Sequence, residues 1–357
     1  MRIAIVGGTF DIGSGKASYS VEELIVSARH RYNKDGFVFA LNGGNLEDLD
    51  GLVPWLKGHK YDCLIWMPNI DNKEDKILPT IKQQYPNLLL VQSKRVVEKP
   101  YTDFEMVKRL LNSHSSLGIR ITRPDGYRFE VIDPLGNSWN KPAPLSGMGE
   151  VLWGRIDELL KLHRKPSKYS ETLPTDVTIE PEFLKAVTYL GGEFTKYVMA
   201  VNPDRFLGNA STRCCHGFPS VKEGNVIYMS KRNVDKTIIS SKQFVPVEAL
   251  ESNTIHYGGE NKPSVDTPVQ QLLYQHYPNI KYMIHGHVYV EGAPMTERNI
   301  PCGFLEEVNE VIDLVPNLES SNFVVNLKGH GCLILSDNIE YLTAHKFISR
   351  PHLEKHY

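Results

Sequence analysis

Hydrophobic and polar residues follow two alternating periods along the first half of the chain. Short β-rich apolar runs lie at residues 3–6, 37–41, 63–67 and 88–91. Between them, residues 20–32 and 77–85 carry apolar side chains at the spacing of an amphipathic helix. Strands that alternate with helices are typical of βαβ units around a parallel sheet. We therefore expect a Rossmann-like α/β domain at the start of the chain.

Three further segments indicate where this first domain ends. Residues 119–132 carry two β-rich runs around Pro124-Asp125-Gly126-Tyr127 and predict a β-hairpin. Residues 148–163 have the apolar stripe of a closing helix. The polar stretch 164–170 contains a proline and lacks an apolar period, so it is predicted to be the linker. We expect a Rossmann-like domain of unknown role at residues 1–165 and a second domain at residues 175–357.

Composition and charge narrow the class of protein. The 357 residues are 41% hydrophobic and 23% charged, with a formal net charge of -2, values typical of a soluble globular protein. A net charge this small gives no strong electrostatic attraction to nucleic acid or to an acidic membrane, so the expected partner is a small-molecule substrate. The first apolar run is far shorter than the ~20 residues that span a bilayer. The five scattered cysteines indicate reduced thiols in a cytoplasmic protein.

A glycine-rich segment follows the first predicted strand. It includes Gly7-Gly8-Thr9 and Ser14-Gly15-Lys16, and free backbone N–H groups at a helix start can bind phosphate or a nucleotide. The spacing matches neither a P-loop nor Gly-x-Gly-x-x-Gly, which favours a tight connection that needs glycine for its backbone geometry. The segment is similar to parts of phosphopantothenoylcysteine synthetase, but the similarity is too short to indicate a function.

Histidines are the strongest candidates for chemistry. On a strand, His285 and His287 would present their rings on one face, and Gly286 leaves room between them. His330 lies between two glycines before another apolar run. A catalytic zinc ion commonly has three protein ligands and one open position. A His-x-His pair alone is more often a surface pair, so the third histidine matters. Upstream, Ser264 or Asp266 can cap a helix and bring a carboxylate near the metal.

Four segments in the second half, within about residues 180–345, resemble the class II aldolase/adducin family. They are Gly208-Asn209-Ala210-Ser211-Thr212-Arg213, Lys262-Pro263-Ser264-Val265-Asp266, His285-Gly286-His287 and Gly329-His330-Gly331. The resemblance implies an αβα domain with a central, mainly antiparallel sheet. It also implies that His285, His287 and His330 bind a divalent metal ion, with zinc expected and manganese or cobalt as alternatives.

The resemblance assigns roles to other residues of these segments. Asp266 becomes the acid/base, one methylene shorter than the glutamate usual in the family, so substrate placement or reaction type can differ. Aldol cleavage would also need a proton donor to the leaving aldehyde, and Tyr289, or Tyr357 from a neighbouring subunit, is a candidate that no spacing shows. The family's Ser-Gly phosphate loop is not recognisable in this chain. The residues expected to hold the substrate or its phosphate are Asn209, Ser211, Arg213, Lys262 and Ser264.

We therefore expect a metal-dependent aldolase, a carbon–carbon lyase that acts on a sugar phosphate or similar hydroxy-carbonyl compound through a metal-stabilised enediolate. The alternatives are a sugar-phosphate 4-epimerase or dehydratase, and a bifunctional protein with a nucleotide-binding N-terminal domain. The intact histidine set argues against a non-catalytic adducin-like module. The resemblance also implies a homo-oligomer, a tetramer in the family, although the extra N-terminal domain can block that packing.

Overall fold

The computed structural model describes residues 2–9, 18–32, 37–42, 56–58, 60–69, 74–96, 101–123, 126–173, 177–197, 206–213, 226–248 and 254–350. The chain divides into two compact units, the first up to Lys161 and the second covering Leu162–Pro351. Most of the glycine-rich segment, the adjacent Cys214 and Cys215, and Tyr357 lie outside the described residues. The domain limits expected from the sequence stay a prediction.

The first unit is built around one sheet. Its described strands are β1 (Arg2–Thr9), β2 (Phe37–Asn42), β3 (Cys63–Asn69), β4 (Leu89–Val96), β5 (Leu117–Thr122), β6 (Arg128–Ile132) and β7 (Ala143–Pro144). Its described helices are α1 (Tyr19–Arg31), α2 (Glu74–Gln84), α3 (Asp103–Ser113) and α4 (Met148–Lys161). The strand order is β2-β1-β3-β4-β5-β6-β7, and the first five strands are parallel.

The order of elements in this unit agrees with the periods of the sequence. Residues of α2 pack on the buried side chains of β1, β3 and β4, in an apolar cluster that includes Leu78, Ile81 and Trp66. The hairpin predicted at residues 119–132 is the antiparallel pair β5–β6. The expected Rossmann-like α/β fold is therefore confirmed.

The second unit contains a larger and mainly antiparallel sheet. Its described strands are β8 (Ser167–Tyr169), β9 (Asn209–Arg213), β10 (Val226–Ser230), β11 (Phe244–Glu248), β12 (Ile255–Tyr257), β13 (Tyr282–Gly286), β14 (Tyr289–Val290), β15 (Asn322–Leu327), β16 (Gly331–Ser336) and β17 (Phe347–Ile348). Eight of them form one sheet in the order β15-β16-β13-β9-β10-β11-β12-β8, and β14 pairs with β17 separately. The described helices are α5 (Pro181–Thr195), α6 (Thr267–His276), α7 (Glu306–Leu314) and α8 (Ile339–Thr343).

Helices cover both faces of the larger sheet. Met283 of β13 shares an apolar cluster with α6 and α7, whereas its neighbour Ile284 shares a second cluster with α5 and α8. Successive strand residues point to opposite faces, so the two clusters lie on opposite sides of the sheet. This arrangement confirms the expected αβα architecture, and it places His285 on the same face as Met283, toward α6 and α7.

The segment predicted to be a linker is instead part of the sheet. Within residues 164–170, β8 pairs in parallel with β12 at the sheet edge. Lys168 and Tyr169 are exposed. A three-residue edge strand with a polar, exposed side has no apolar period, so the pattern of the sequence could not reveal it.

Two adjacent glycines in α5 have different surroundings, which leads to a prediction. A Cβ atom on Gly191 would lie 2.8 Å from the Cβ atom of Lys236 and 2.9 Å from its carbonyl carbon, whereas a Cβ atom on Gly192 would meet nothing within 4 Å. We expect Gly191→Ala to lower the free energy of unfolding by about 1–3 kcal/mol through overpacking. We expect Gly192→Ala to raise it by about 0.5–1 kcal/mol, because alanine favours the helix and restricts the unfolded chain. Urea denaturation measures both values, and changes of the same sign and size would contradict this packing.

Candidate metal centre

Three histidine rings meet where β13 ends and β16 begins. His285 lies in β13, His287 follows the end of that strand, and His330 immediately precedes β16. The ring centroids are 5.0 Å apart for His285 and His287, 4.5 Å for His285 and His330, and 5.3 Å for His287 and His330. All three side chains are buried, and their candidate ligand nitrogens lie within 4.8 Å of one another. Ligand nitrogens around zinc lie about 3.3 Å apart, because each Zn–N bond is about 2.0–2.1 Å long, so a small contraction closes the site.

Glycines allow the two histidine segments to approach this closely. In the pairing of β13 with β16, Gly286 lies opposite Cys332. A Cβ atom on Gly331 would lie 2.0 Å from the carbonyl oxygen of Gly286, and one on Gly286 would lie 2.6 Å from the Phe194 ring. A larger residue in place of Gly331 would therefore push the His330 turn away from the strand that carries His285, and one in place of Gly286 would displace the Phe194 ring.

Hydrogen bonds set the orientation of two of the rings. His285 Nδ1 lies 2.9 Å from the carbonyl oxygen of Cys332, and since a carbonyl only accepts, this nitrogen carries the proton. His330 Nδ1 lies 2.8 Å from Oε1 of the buried Glu307. A partner on one ring nitrogen fixes the tautomer and directs the other nitrogen to a metal ion. The Nε2 atoms of His285 and His330 are thus the nitrogens left for ligation.

Buried polar atoms without partners show that this donor set fits a cation. Within the described part of the chain, His285 Nε2, His287 Nδ1 and Asp266 Oδ1 have no hydrogen-bond partner. A buried polar group left unsatisfied costs about 1–3 kcal/mol. A cation bound to the two ring nitrogens, close to the negative charge of Asp266, would offset that cost. Imidazole nitrogen and carboxylate oxygen are ligands that zinc accepts. The residues present therefore fit a divalent metal ion.

The pKa values of two rings favour the metal-binding form. Burial, together with the charge of His330, lowers the pKa of His285 to about 4. Burial and the neighbouring His285 hold the pKa of His287 well below its usual value. Both rings are therefore neutral near pH 7, as a metal ligand must be. Burial acts in the same direction on His330, but the nearby Cys302 and Glu307 raise the pKa of this ring well above its usual value.

Asp266 reaches the cluster from the start of α6. It occupies the N-cap position without a side-chain capping bond, and its Oδ2 atom instead accepts a 2.8 Å hydrogen bond from Asn209 Nδ2. Asn209 pairs with His285 in the β9–β13 register, and its Oδ1 atom accepts a hydrogen bond from Gln270. The amide groups of Asn209 and Gln270 thus fix one carboxylate oxygen and leave the other free for substrate or metal.

Other residues expected at the site have different surroundings. The hydroxyl of Ser211 is buried and donates to Gln270, and Arg213 donates to the carbonyl oxygen of Ile280 at 2.6 Å. These contacts tie β9 to α6 and to the segment after it. Tyr289 OH accepts a 2.8 Å hydrogen bond from the backbone N–H of Gly329 and supports the His330 turn.

The remaining expected residues flank Asp266. Lys262 is exposed, and the buried Ser264 donates its backbone N–H to the carbonyl oxygen of Ser230 at 3.1 Å. The structure therefore gathers His285, His287, His330, Asp266 and Asn209, with Ser264 two residues away in the chain. The substrate roles of Ser211, Arg213, Lys262, Ser264 and Tyr289 stay predictions.

Three contributors to the site were not found from the sequence. Glu307 lies four residues before Val311 on the apolar stripe of α7, and an acid in such a position is the signal that could have revealed it. Gln270 is polar on the buried face of α6 in the same way. Cys302 lies in a turn with no periodicity, so only its proximity in space reveals it.

The chain was compared with family models, with curated proteins and with solved structures. No family model matches the chain. A curated relative, the probable L-ribulose-5-phosphate 4-epimerase UlaF of Mycoplasma pneumoniae, is 30% identical over 83 residues, which are 23% of this chain and 30% of that protein. The chain thus matches under a third of the length of this relative.

Solved structures with similar regions include two from bacteria. The DNA/pantothenate metabolism flavoprotein of Streptococcus pneumoniae has a TM-score of 0.34 at 13% identity, covering 44% of this chain and 98% of its own. The sugar-phosphate aldolase of Thermotoga maritima has a TM-score of 0.31 at 12% identity, covering 44% of this chain and 88% of its own. The chain is similar to proteins of the class II aldolase family, as its four sequence segments indicated.

Proposed function

We propose that the second unit is a divalent-metal-dependent aldolase that cleaves a carbon–carbon bond in a sugar phosphate or a similar hydroxy-carbonyl compound. One observation supports this most strongly: three buried imidazoles with ligand nitrogens within 4.8 Å of one another lie beside a buried carboxylate with one unpartnered oxygen. Burying such a set of polar atoms costs free energy that a purely structural module would not need to spend. An enzyme that polarises a carbonyl group needs these atoms to bind its metal ion.

Asp266 is the proposed acid/base. Bound zinc, or manganese or cobalt in its place, would act as a Lewis acid toward the substrate carbonyl and stabilise the negative charge of the enediolate. The free Oδ1 atom of Asp266 accepts the proton of the substrate hydroxyl while the carbon–carbon bond breaks, and an aldehyde leaves. The hydrogen bond from Asn209 keeps the other carboxylate oxygen in place, so the proton acceptor is held before the substrate arrives.

Positive side chains favour a phosphorylated or otherwise anionic substrate. The charge of Asp266 acts on Arg164, Arg232 and Lys236, so all three cations are electrostatic neighbours of the carboxylate. Burial lowers the pKa of Lys236 to about 8, and its ammonium group donates to the carbonyl oxygen of Phe206. Arg232 is exposed, and its Nε–H donates a 2.9 Å hydrogen bond to the carbonyl oxygen of Pro263. Its two terminal nitrogens can contact an anion, since a guanidinium presents five donors.

A sugar-phosphate 4-epimerase is the second candidate, because the curated relative is named as such an enzyme. Cleavage, rotation of the aldehyde and renewed bond formation would invert the carbon that carries the hydroxyl group. The same carboxylate and metal site can serve both reactions. The two differ in whether the aldehyde leaves the site.

Product analysis tests both candidates. Metal-free protein, and protein reloaded with zinc, manganese or cobalt, is incubated with dihydroxyacetone phosphate and short aldehydes, and separately with a ketopentose 5-phosphate. We expect an aldol product that disappears with EDTA and returns with metal. Inversion of the ketopentose phosphate without free aldehyde would instead indicate the epimerase. Turnover that is insensitive to EDTA, or no turnover with any reloaded protein, would contradict a metal-dependent enzyme of this type.

We propose that the protein forms a homo-oligomer, as the family resemblance implies. Sedimentation equilibrium of the whole chain is expected to give a multiple of its 40.5 kDa mass. A monomer at micromolar concentration would show that a neighbouring subunit, and with it Tyr357, does not complete the site.

A further inference from the structure

Cys302 lies against the one nitrogen of His330 that is available to a metal ion. Glu307 holds Nδ1 of this ring at 2.8 Å, which leaves Nε2 for ligation. The Sγ atom of Cys302 is 3.0 Å from that Nε2 atom. Sulfur and nitrogen ligands of one tetrahedral zinc ion lie about 3.5 Å apart, given bond lengths of about 2.3 Å and 2.0–2.1 Å. An ion bound to His330 therefore lies beside this sulfur.

The turn that carries Cys302 is fixed in place. Gly303 has a φ of +77°, and a Cβ atom there would lie 2.5 Å from the carbonyl oxygen of Val265. The turn thus packs on the backbone just before Asp266. The carbonyl oxygen of Cys302 also accepts a 3.1 Å hydrogen bond from Arg164. Potential ligand atoms of Asp266, Cys302 and His330 lie within 4.8 Å of one another as a result.

The two groups of potential ligands share His330. One group is the three histidines, and the other is Asp266, Cys302 and His330. Each group contains a side chain at least nine-tenths buried with an unpartnered polar atom, in His285 and Asp266 respectively. The free thiol of Cys302 is half-buried. Asp266 has one oxygen committed to Asn209, whereas the Cys302 sulfur lies 3.0 Å from the ligand nitrogen of His330.

We propose that the thiolate of Cys302 is a fourth protein ligand of the ion held by His285, His287 and His330. This inference rests on the metal site of the proposed function. On binding, the thiol loses its proton to solvent and the sulfur bonds to the ion. A soft sulfur donor beside three imidazoles favours zinc or cobalt over manganese or magnesium. With four protein donors the site would be closed until substrate displaced the thiolate or added as a fifth ligand.

Cobalt spectroscopy of the whole chain tests this ligand. Wild-type protein loaded with Co²⁺ is expected to show visible ligand-field bands and a near-ultraviolet thiolate-to-cobalt charge-transfer band. Cys302→Ser is expected to keep the ligand-field bands and lose the charge-transfer band, with zinc affinity lower by at least about 10-fold. Cys63→Ala, which removes a thiol from the first unit, should keep both.

The outcomes separate the two proposals. Ligand-field bands without charge transfer in the wild type, or a charge-transfer band that persists in Cys302→Ser, would overturn the cysteine ligand alone. If Co²⁺ gave no ligand-field bands, both the cysteine ligand and the metal-dependent function would be contradicted.

A second measurement uses only the wild-type protein, so it tests the cysteine ligand even if Cys302→Ser fails to fold. Zinc should slow alkylation of Cys302 by iodoacetamide, measured by peptide mass spectrometry, and equal rates with and without zinc would overturn the inference.

Discussion

Replacing His285 or His287 by alanine is expected to weaken zinc binding by more than about 100-fold, because even the outer partners of metal ligands contribute 10–100-fold. Each change removes one of three nitrogens that converge within 4.8 Å. Competition with a chromophoric chelator measures the affinity. Aldolase turnover should fall below detection at zinc concentrations that saturate the wild type.

His256 offers a matched control for the histidine variants. It is a half-buried imidazole on β12 of the same sheet and belongs to neither group of potential ligands. His256→Ala should bind zinc like the wild type. If His287→Ala did the same, the ion would have to lie elsewhere, and the proposed centre would be wrong.

Asp266→Asn is expected to reduce kcat by about 10²–10⁴, the range for loss of a general acid or base. The amide is nearly isosteric, and its oxygen can still accept the hydrogen bond from Asn209, but it cannot take a proton at neutral pH. Zinc affinity should change by only a few-fold. The measurement is the steady-state rate with saturating zinc, alongside a zinc titration of the same preparation.

The control for this variant is Asp313→Asn, at an exposed carboxylate near the end of α7. It should match the wild type in kcat and in zinc affinity. Full turnover in Asp266→Asn would remove its acid/base role. A loss of zinc as large as that of the histidine variants would show that Asp266 serves mainly as a metal ligand.

The spacing of hydrophobic residues along the chain predicted the strands and helices of the first unit. Alternating strands and helices are visible as periods of two and 3.6 residues, and they led to the parallel sheet of the first unit. The strand that carries His285 and the glycine-flanked His330 were also recognisable. Their meeting was expected only from the family resemblance, because the 45 positions that separate them in the chain carry no period that relates one to the other.

Contacts between distant segments explain most of what the sequence did not predict. Glu307 and Cys302 contact His330 from 23 and 28 residues away, and neither belongs to a recognisable motif. The segment that resembles the family's Gly-Asn-x-Ser-x-Arg loop is largely a buried strand, β9. Its alternate residues Asn209 and Ser211 both bond to Gln270 of α6. Such a use of polar side chains depends on which helix covers the strand, and no local pattern shows that.

The central claim is that one divalent ion binds where the three buried imidazoles converge. Equilibrium dialysis of the wild-type chain against zinc, followed by elemental analysis, tests it most directly. We expect one tightly bound zinc ion per chain, and less than one-tenth of that in a His285→Ala, His287→Ala double variant that retains the wild-type circular dichroism. A wild-type protein that retains no zinc, manganese or cobalt, or a double variant that still retains one ion per chain, would contradict the account.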